Sequence, residues 1–156
     1  EDRMTYNLKE HVPSGEHVVP LGSAAVKRRG VDVTIIAVSR SVHTALKAAE
    51  ELQKRSISTE VIDIRTLVPL DMDTIVSSVA KTHCALVLDG GYQSFGITGE
   101  IAATIGELLF DYLDAPIKRL AAPDVPISFS RSLEPALVPS VDQVVAKVSE
   151  MYSETD

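Results

Sequence analysis

From residue 31 onward, hydrophobic and polar positions follow two alternating rhythms. Val31 to Val38 (VDVTIIAV) is β-branched and becomes almost wholly apolar at its end, the pattern of a strand buried on both faces. Val42, Ala45, Leu46, Ala49 and Leu52 then recur at helical spacing, with Lys47, Glu50, Glu51 and Lys54 on the outer side. Thr59 to Ile64 reads as a second strand, and Asp71 caps a helix whose inner face is Met72, Ile75, Val76, Val79 and Ala80. Cys84 to Asp89 is a third buried strand. A loop through Ser94 and Gly96 leads to a helix with Ile97, Ile101, Ile105, Leu108 and Leu109 on one side. Ile117 to Ala121 is a fourth strand. Ser140-x-x-Gln143 is a capping box opening a last helix with the stripe Val141, Val144, Val145, Val148 and Met151. Buried strands alternating with helices imply right-handed crossovers and a mainly parallel sheet of about five strands covered on both faces. The expected fold is a three-layer α/β/α sandwich.

The preceding stretch differs. Met4 to Gly30 holds Pro13, Gly15, Pro20, Gly22 and Gly30 among short apolar runs. It reads as an extended arm, with strand pairing expected around Val18-Val19 and Ala24-Ala25-Val26. The expected organisation is therefore an arm or linker over residues 1–30 and one domain over 31–156. A start at Glu-Asp-Arg, with the first methionine at Met4, fits a processed or excised fragment. The basic cluster Lys27-Arg28-Arg29 reads as a solvated turn before a strand.

Composition narrows the function classes. Lys+Arg 15 against Asp+Glu 22 leaves a net charge of −7, and aromatics are 4%. That balance argues against a nucleic-acid partner, which favours a basic face and stacking rings. No run approaches the roughly 18 apolar residues of a membrane span. Cys84 stands alone in the apolar run Cys84-Ala85-Leu86-Val87-Leu88, so it reads as a buried inert thiol. A lone cysteine without a secretory-signal pattern suggests a reducing, cytoplasmic-type compartment.

In an open parallel sheet, ligands bind beyond the carboxyl ends of the strands. The richest such end is Asp89-Gly90-Gly91-Tyr92-Gln93-Ser94-Phe95-Gly96. Its Gly-Gly-x4-Gly spacing is neither dinucleotide fingerprint nor P-loop, and Asp89 repels an anion. A response-regulator receiver needs an acidic pair after the first strand and a later lysine; Ser39-Arg40-Ser41 and Ala121-Ala122-Pro123-Asp124 supply neither. Arg65 suits a bidentate grip on a carboxylate or phosphate, or a tie to Asp71 or Asp73. His11, His17, His43 and His83 lack metal-ligand spacing. The residues alone thus present no catalytic, cofactor or metal set.

They do resemble a family. The runs Val33-Thr34-Ile35-Ile36-Ala37, Ala45-Leu46-x-Ala48-Ala49-Glu50-x-Leu52 and Glu60-Val61-Ile62-Asp63-Ile64-Arg65-Thr66-Leu67-x-Pro69-x-Asp71 are similar to the transketolase C-terminal domain. Within it, the likeness is greatest to β subunits of thiamine-diphosphate-dependent 2-oxo acid dehydrogenases. Similarity continues through Lys81-Thr82, Asp89-Gly90-Gly91-x-Gln93-x-Phe95-Gly96-x-x-x-Glu100-Ile101 and Leu113-Asp114-Ala115-Pro116. It ends with Ala122-Pro123-Asp124-x-Pro126 and Leu133-Glu134, and the arm's Val19-Pro20-Leu21-Gly22-x-Ala24 fits too. Two departures stand out: Asp89 replaces the family's usual glutamate, and the β subunit's N-terminal half, with its catalytic glutamate, is not in this sequence.

The resemblance implies an assembly and docking domain, inactive alone. Its intact enzyme (pyruvate dehydrogenase, or an acetoin or branched-chain relative) decarboxylates a 2-oxo acid on thiamine diphosphate with Mg²⁺ and acylates a lipoyl group. It further implies an α subunit and second β subunit in an α2β2 tetramer, a subunit-binding domain of the lipoyl acyltransferase as docking partner, and a cytoplasmic or, in a eukaryote, mitochondrial matrix location. Interface or loop-shaping candidates are Arg65, Asp71, Asp89, Gly90, Gly91, Gln93, Phe95, Gly96 and Glu100; docking candidates are Asp111, Asp114, Glu154 and Asp156. A stand-alone anion- or nucleotide-binding regulatory module, using loops around Arg65 and Gly90-Gly91, is the alternative.

Overall fold

A computed structural model describes residues 5, 6, 8, 9, 11–128, 130 and 132–155. Five strands, β1 (Ala25–Arg28), β2 (Val33–Ala37), β3 (Thr59–Asp63), β4 (Ala85–Tyr92) and β5 (Lys118–Ala122), form one sheet in the order β1-β3-β2-β4-β5. β1 runs antiparallel to β3, and the other pairings are parallel. The helices are α1 (Arg40–Gln53), α2 (Met72–Thr82), α3 (Ile97–Leu109), the single turn α4 (Glu134–Leu137) and α5 (Val141–Thr155).

The layering follows from connection handedness. α1 links β2 to β3 in one direction along the sheet; α2 and α3 lead to β4 and β5 in the other. Right-handed crossovers in opposite directions leave their helices on opposite faces. Val33, Ile35 and Ala37 accordingly pack with α1 and α5, through Ala45, Leu52, Val144 and Met151. Ile36, Ile62 and Val87 face α2 and α3, through Ile75, Val79, Ile101 and Ile105. Every residue of β2 is buried, as its unbroken apolar run requires. The three-layer expectation holds.

The observed elements differ from the expected ones at several points. Lys27 and Arg28 lie in edge strand β1 rather than a turn, paired to β3 with a bulge between Val26 and Arg28. The strand pairing expected around Ala24-Ala25-Val26 is present, with Ala25 and Val26 paired to Asp63 and Ile62, so part of the stretch before residue 31 belongs to the sheet, whereas Val18-Val19 forms no strand. β4 continues past Asp89 through Gly90 and Gly91 to Tyr92, which pairs with Ala122. Leu108 is 56% exposed, because the inner face of α3 ends on Ile105 and Leu109. The α5 capping box forms as expected: the Ser140 amide donates to Gln143 Oε1 at 2.9 Å, and the Gln143 amide donates to Ser140 Oγ at 3.2 Å.

Two contacts tie the segment before β1 to the β3–α2 loop. The Gly22 amide donates to Thr66 Oγ1 at 3.0 Å, and the Ala24 amide donates to Asp71 Oδ2 at 2.8 Å. Gly22 has φ of 72°, and a Cβ there would lie 2.7 Å from Pro69 Cγ, so this turn needs glycine.

Candidate functional site

At the carboxyl end of β3, Arg65 is exposed with φ of 55°, its amide donating to Asp63 Oδ1 at 3.1 Å. No ion pair joins it to Asp71 or Asp73 among the described residues. Asp71 has different work. It is the N-cap of α2, accepting from the Thr74 amide at 3.0 Å and the Thr74 hydroxyl at 2.8 Å besides the Ala24 amide. The Ala24 amide first, then the Thr74 amide and hydroxyl, hold its carboxyl below the ordinary carboxylate value despite partial burial. It thereby joins the start of α2 to the segment before β1.

The last residues of β4 and the loop leading to α3 gather most of the remaining candidates. Asp89 accepts from the Gly91 amide at 3.1 Å, and a Cβ at Gly91 would press to 2.7 Å on that same carboxylate oxygen. The Gln93 amide donates to the Ala122 carbonyl at 2.9 Å, and its own carbonyl accepts from Arg119 at 3.1 Å. The Ser94 amide donates to Asp124 Oδ1 at 3.0 Å, and the Ser94 hydroxyl donates to Asp124 Oδ2. Those two bonds, hydroxyl first, keep the Asp124 carboxyl below its ordinary value. Gly96 caps α3, and a Cβ there would collide with the Tyr92 carbonyl oxygen at 2.0 Å. Glu100 sits exposed in the first turn of α3, where a carboxylate opposes the helix dipole favourably. Gly90 has only an ordinary 3.9 Å approach to Val138 and no steric need for glycine.

This frame aims Phe95 into solvent. Its relative exposure is 110%, and φ is 55°. Beside it opens a groove of about 490 Å³ lined by Tyr92, Ser94, Phe95, Asp124, Val125 and Pro126. Asp124 lies in the family-like run Ala122-Pro123-Asp124-x-Pro126 but is not among the expected site residues. Its hydrogen bonds to Ser94, thirty positions away, carry no sequence-local signal.

The docking candidates lie at the other end of the sheet. The Asp114 amide donates to the His83 carbonyl at 3.0 Å just before β4, and Glu154 pairs with Lys118 at the start of β5, at 3.4 Å. Asp111 is exposed on the 3₁₀ turn Phe110–Tyr112. Asp156 lies outside the described residues. Cys84 is buried here; burial pushes its thiol up to about 11, with the charges of Asp114 and Glu154 adding to the effect and Lys118 opposing it. A thiol so disfavoured as thiolate is inert at neutral pH.

One charged pair escaped the sequence reading. Glu60, 1% exposed on β3, binds the Lys81 ammonium on α2 and accepts from the Gly30 amide at 3.3 Å. Burial works to raise its pKa, but the Lys81, Ser78 and Gly30 hydrogen bonds and the Lys81 charge prevail, holding the carboxyl below 4.5. A glutamate inside a strand buried on both faces was the available signal.

Comparison with known proteins places these residues among relatives. Residues 22–144 match the family described as transketolase, C-terminal domain. The chain is 44% identical over 154 residues to the acetoin:2,6-dichlorophenolindophenol oxidoreductase subunit beta of Bacillus subtilis (strain 168), covering 99% of this chain and 45% of that protein. It is 42% identical over 149 residues to the mitochondrial pyruvate dehydrogenase E1 component subunit beta of Dictyostelium discoideum, covering 93% and 42%. Against the 2-oxoisovalerate dehydrogenase subunit beta of Bacillus subtilis (strain 168) the figures are 42% over 154 residues, 97% and 47%. The chain thus spans under half the length of these relatives. A solved split-gene transketolase, titled an inactive beta4 tetramer, superposes with a TM-score of 0.74 at 24% identity, covering 94% of this chain and 47% of that one. That likeness concerns the fold.

Proposed function

The chain belongs to the transketolase C-terminal domain family, and from that premise we propose that it is the C-terminal assembly and docking domain of the β subunit of a 2-oxo acid dehydrogenase. The observation that carries this reading is the match to the β subunits of a pyruvate dehydrogenase, a 2-oxoisovalerate dehydrogenase and an acetoin oxidoreductase along 93–99% of the chain. The intact enzyme decarboxylates pyruvate or a branched-chain 2-oxo acid, or cleaves the central carbon–carbon bond of acetoin, with an α subunit and a second β subunit completing an α2β2 tetramer. A subunit-binding domain of the lipoyl acyltransferase docks on the acidic surface of Asp111, Asp114 and Glu154. No helix among the described residues is long and apolar enough to cross a membrane.

Thiamine diphosphate and Mg²⁺ supply the decarboxylation chemistry of such an enzyme. The residues of this chain do not fit that group. A diphosphate with its cation requires a carboxylate set for the metal and cationic or backbone donors for the phosphates. Here the β4 and β5 ends present Asp89 and Asp124 to an anion, and no three metal-ligating side chains gather among the described residues. The same carboxylates argue against the anion-binding alternative. What this chain contributes is shape: Asp71 fixes the loop between β3 and α2, while Asp89, Gly91, Gln93 and Gly96 fix the segment that holds Phe95 outward.

The test is co-assembly. The tagged 156-residue chain, mixed with an α subunit and the remaining portion of a β subunit, is expected to enter a heteromeric particle by light scattering. It is also expected to show no 2-oxo acid decarboxylation by itself with thiamine diphosphate and Mg²⁺ added. A chain that stays unassociated, or one that turns over alone, overturns the proposal.

A further inference from the structure

Phe95 combines two unfavourable conditions that folding does not require. Its ring is fully in water, forgoing burial of apolar surface. Its backbone occupies the left-handed region, which disfavours any residue with a Cβ. Three contacts enforce this: the Tyr92 carbonyl packed against Gly96, the paired Ser94–Asp124 bonds, and the Gln93–Ala122 bond. A loop so fully determined that presents an aromatic ring outward is built for contact with something else.

The groove's charge says what that is. Among the described residues, Asp124 is its one charged lining residue, and each carboxylate oxygen, having accepted one bond from Ser94, keeps a free lone pair. A twofold contact with a second copy, centred on the groove, would bring two Asp124 carboxylates together and is disfavoured. A guanidinium satisfies both walls at once: its plane lies on an aromatic face while its N–H groups reach a carboxylate. We propose that this groove receives an arginine-bearing apolar segment of a partner of different sequence, the guanidinium seated between the Phe95 ring and Asp124. A flanking aliphatic side chain packs on Tyr92, Val125 and Pro126. The inference rests on the reading of this domain as an assembly module, and it names the chemistry of the partner at this groove.

The probe is N-acetyl-Leu-Arg-Leu amide, titrated into the isotope-labelled chain while amide chemical shifts are followed. Saturable shifts are expected at Tyr92, Phe95 and Val125. Replacing the probe's arginine by glutamate is expected to weaken binding about tenfold or more, since the charge at Asp124 then repels. Phe95→Ala is expected to weaken it about fivefold with an unchanged thermal midpoint, because an exposed ring contributes to contact and not to folding. Asp124→Asn, which retains an acceptor for Ser94, is expected to abolish the preference for arginine over glutamate. Equal binding of the two probes by the unaltered chain, absence of saturable shifts, or full binding by Phe95→Ala overturns the inference. If the chain co-assembles with its subunits while the probe fails, only this inference falls. If the probe binds while co-assembly fails, the assignment as a β-subunit domain falls instead.

Discussion

Asp71 shows how one side chain decides the shape of a loop. A cap ordinarily satisfies one orphan amide at a helix start. Asp71 satisfies the Thr74 amide and also the Ala24 amide, 47 positions earlier, so it joins α2 to the segment feeding edge strand β1. Asp71→Ala is expected to lower stability by about 1–2 kcal/mol, since both amides lose their acceptor. Asp71→Asn, which preserves an acceptor oxygen, is expected to recover part of that loss. Urea denaturation at neutral pH reads the difference, and an Ala variant as stable as the parent would contradict this account. The capping role was legible, because an aspartate before an apolar helical stripe has a local meaning. The Ala24 bond was not legible, and neither was the grip of Asp124 on Ser94, because both join residues that only the folded chain brings together.

Among the elements, those with a strong local period were readable and those decided by their neighbours were not. The inner stripes of α1, α2 and α5 follow their 3.6-residue spacing, and β2 follows its unbroken β-branched run. Of β1, Ala25-Val26 was legible as a strand but Lys27 and Arg28, with no alternating pattern, were not; they join it because the edge of β3 offers free backbone groups, and lysine at a sheet edge discourages further pairing. Gly90-Gly91 reads as a strand terminator, yet β4 runs on because Tyr92 finds Ala122. The turn that follows depends on Gly96. Gly96→Ala is expected to cost about 1–3 kcal/mol, since a methyl set 2.0 Å from the Tyr92 carbonyl must push the loop away. Gly90→Ala, meeting only a 3.9 Å contact, is expected to cost far less by that measure. Thermal unfolding of the pair in parallel checks the contrast, and equal losses would show that the clash is not what fixes this turn.

Across the whole molecule, the Glu60–Lys81 pair links parts that the sheet alone leaves loosely joined. Glu60 lies on β3, Lys81 near the end of α2, and Gly30 in the turn between β1 and β2, where a Cβ would lie 2.2 Å from the Thr59 backbone. A buried carboxylate is tolerated there only because the ammonium, the Gly30 amide and Ser78 answer its charge. Its folded pKa is lowered, so its stabilisation is complete above the ordinary value of 4.5 and is lost as pH falls through the folded value. Lys81→Met removes the cation while the burial that opposes ionisation remains, so the folded pKa of Glu60 rises relative to the parent's, and the penalty is full at neutral pH and relieved by acid. The expected cost is about 2 kcal/mol at pH 7, below that of a fully buried pair because Lys81 is partly solvated. That cost shrinks progressively as the pH falls through the variant's folded value toward the parent's lower one. Glu60→Gln combined with Lys81→Met is expected to recover most of the loss at pH 7, because a neutral amide needs no counter-ion and keeps an oxygen for Gly30. Chemical denaturation of the parent and both variants between neutral and acid pH measures all three trends. A Lys81→Met penalty that stays constant across that range would mean that the lysine acts through packing of its aliphatic stem and not through its charge.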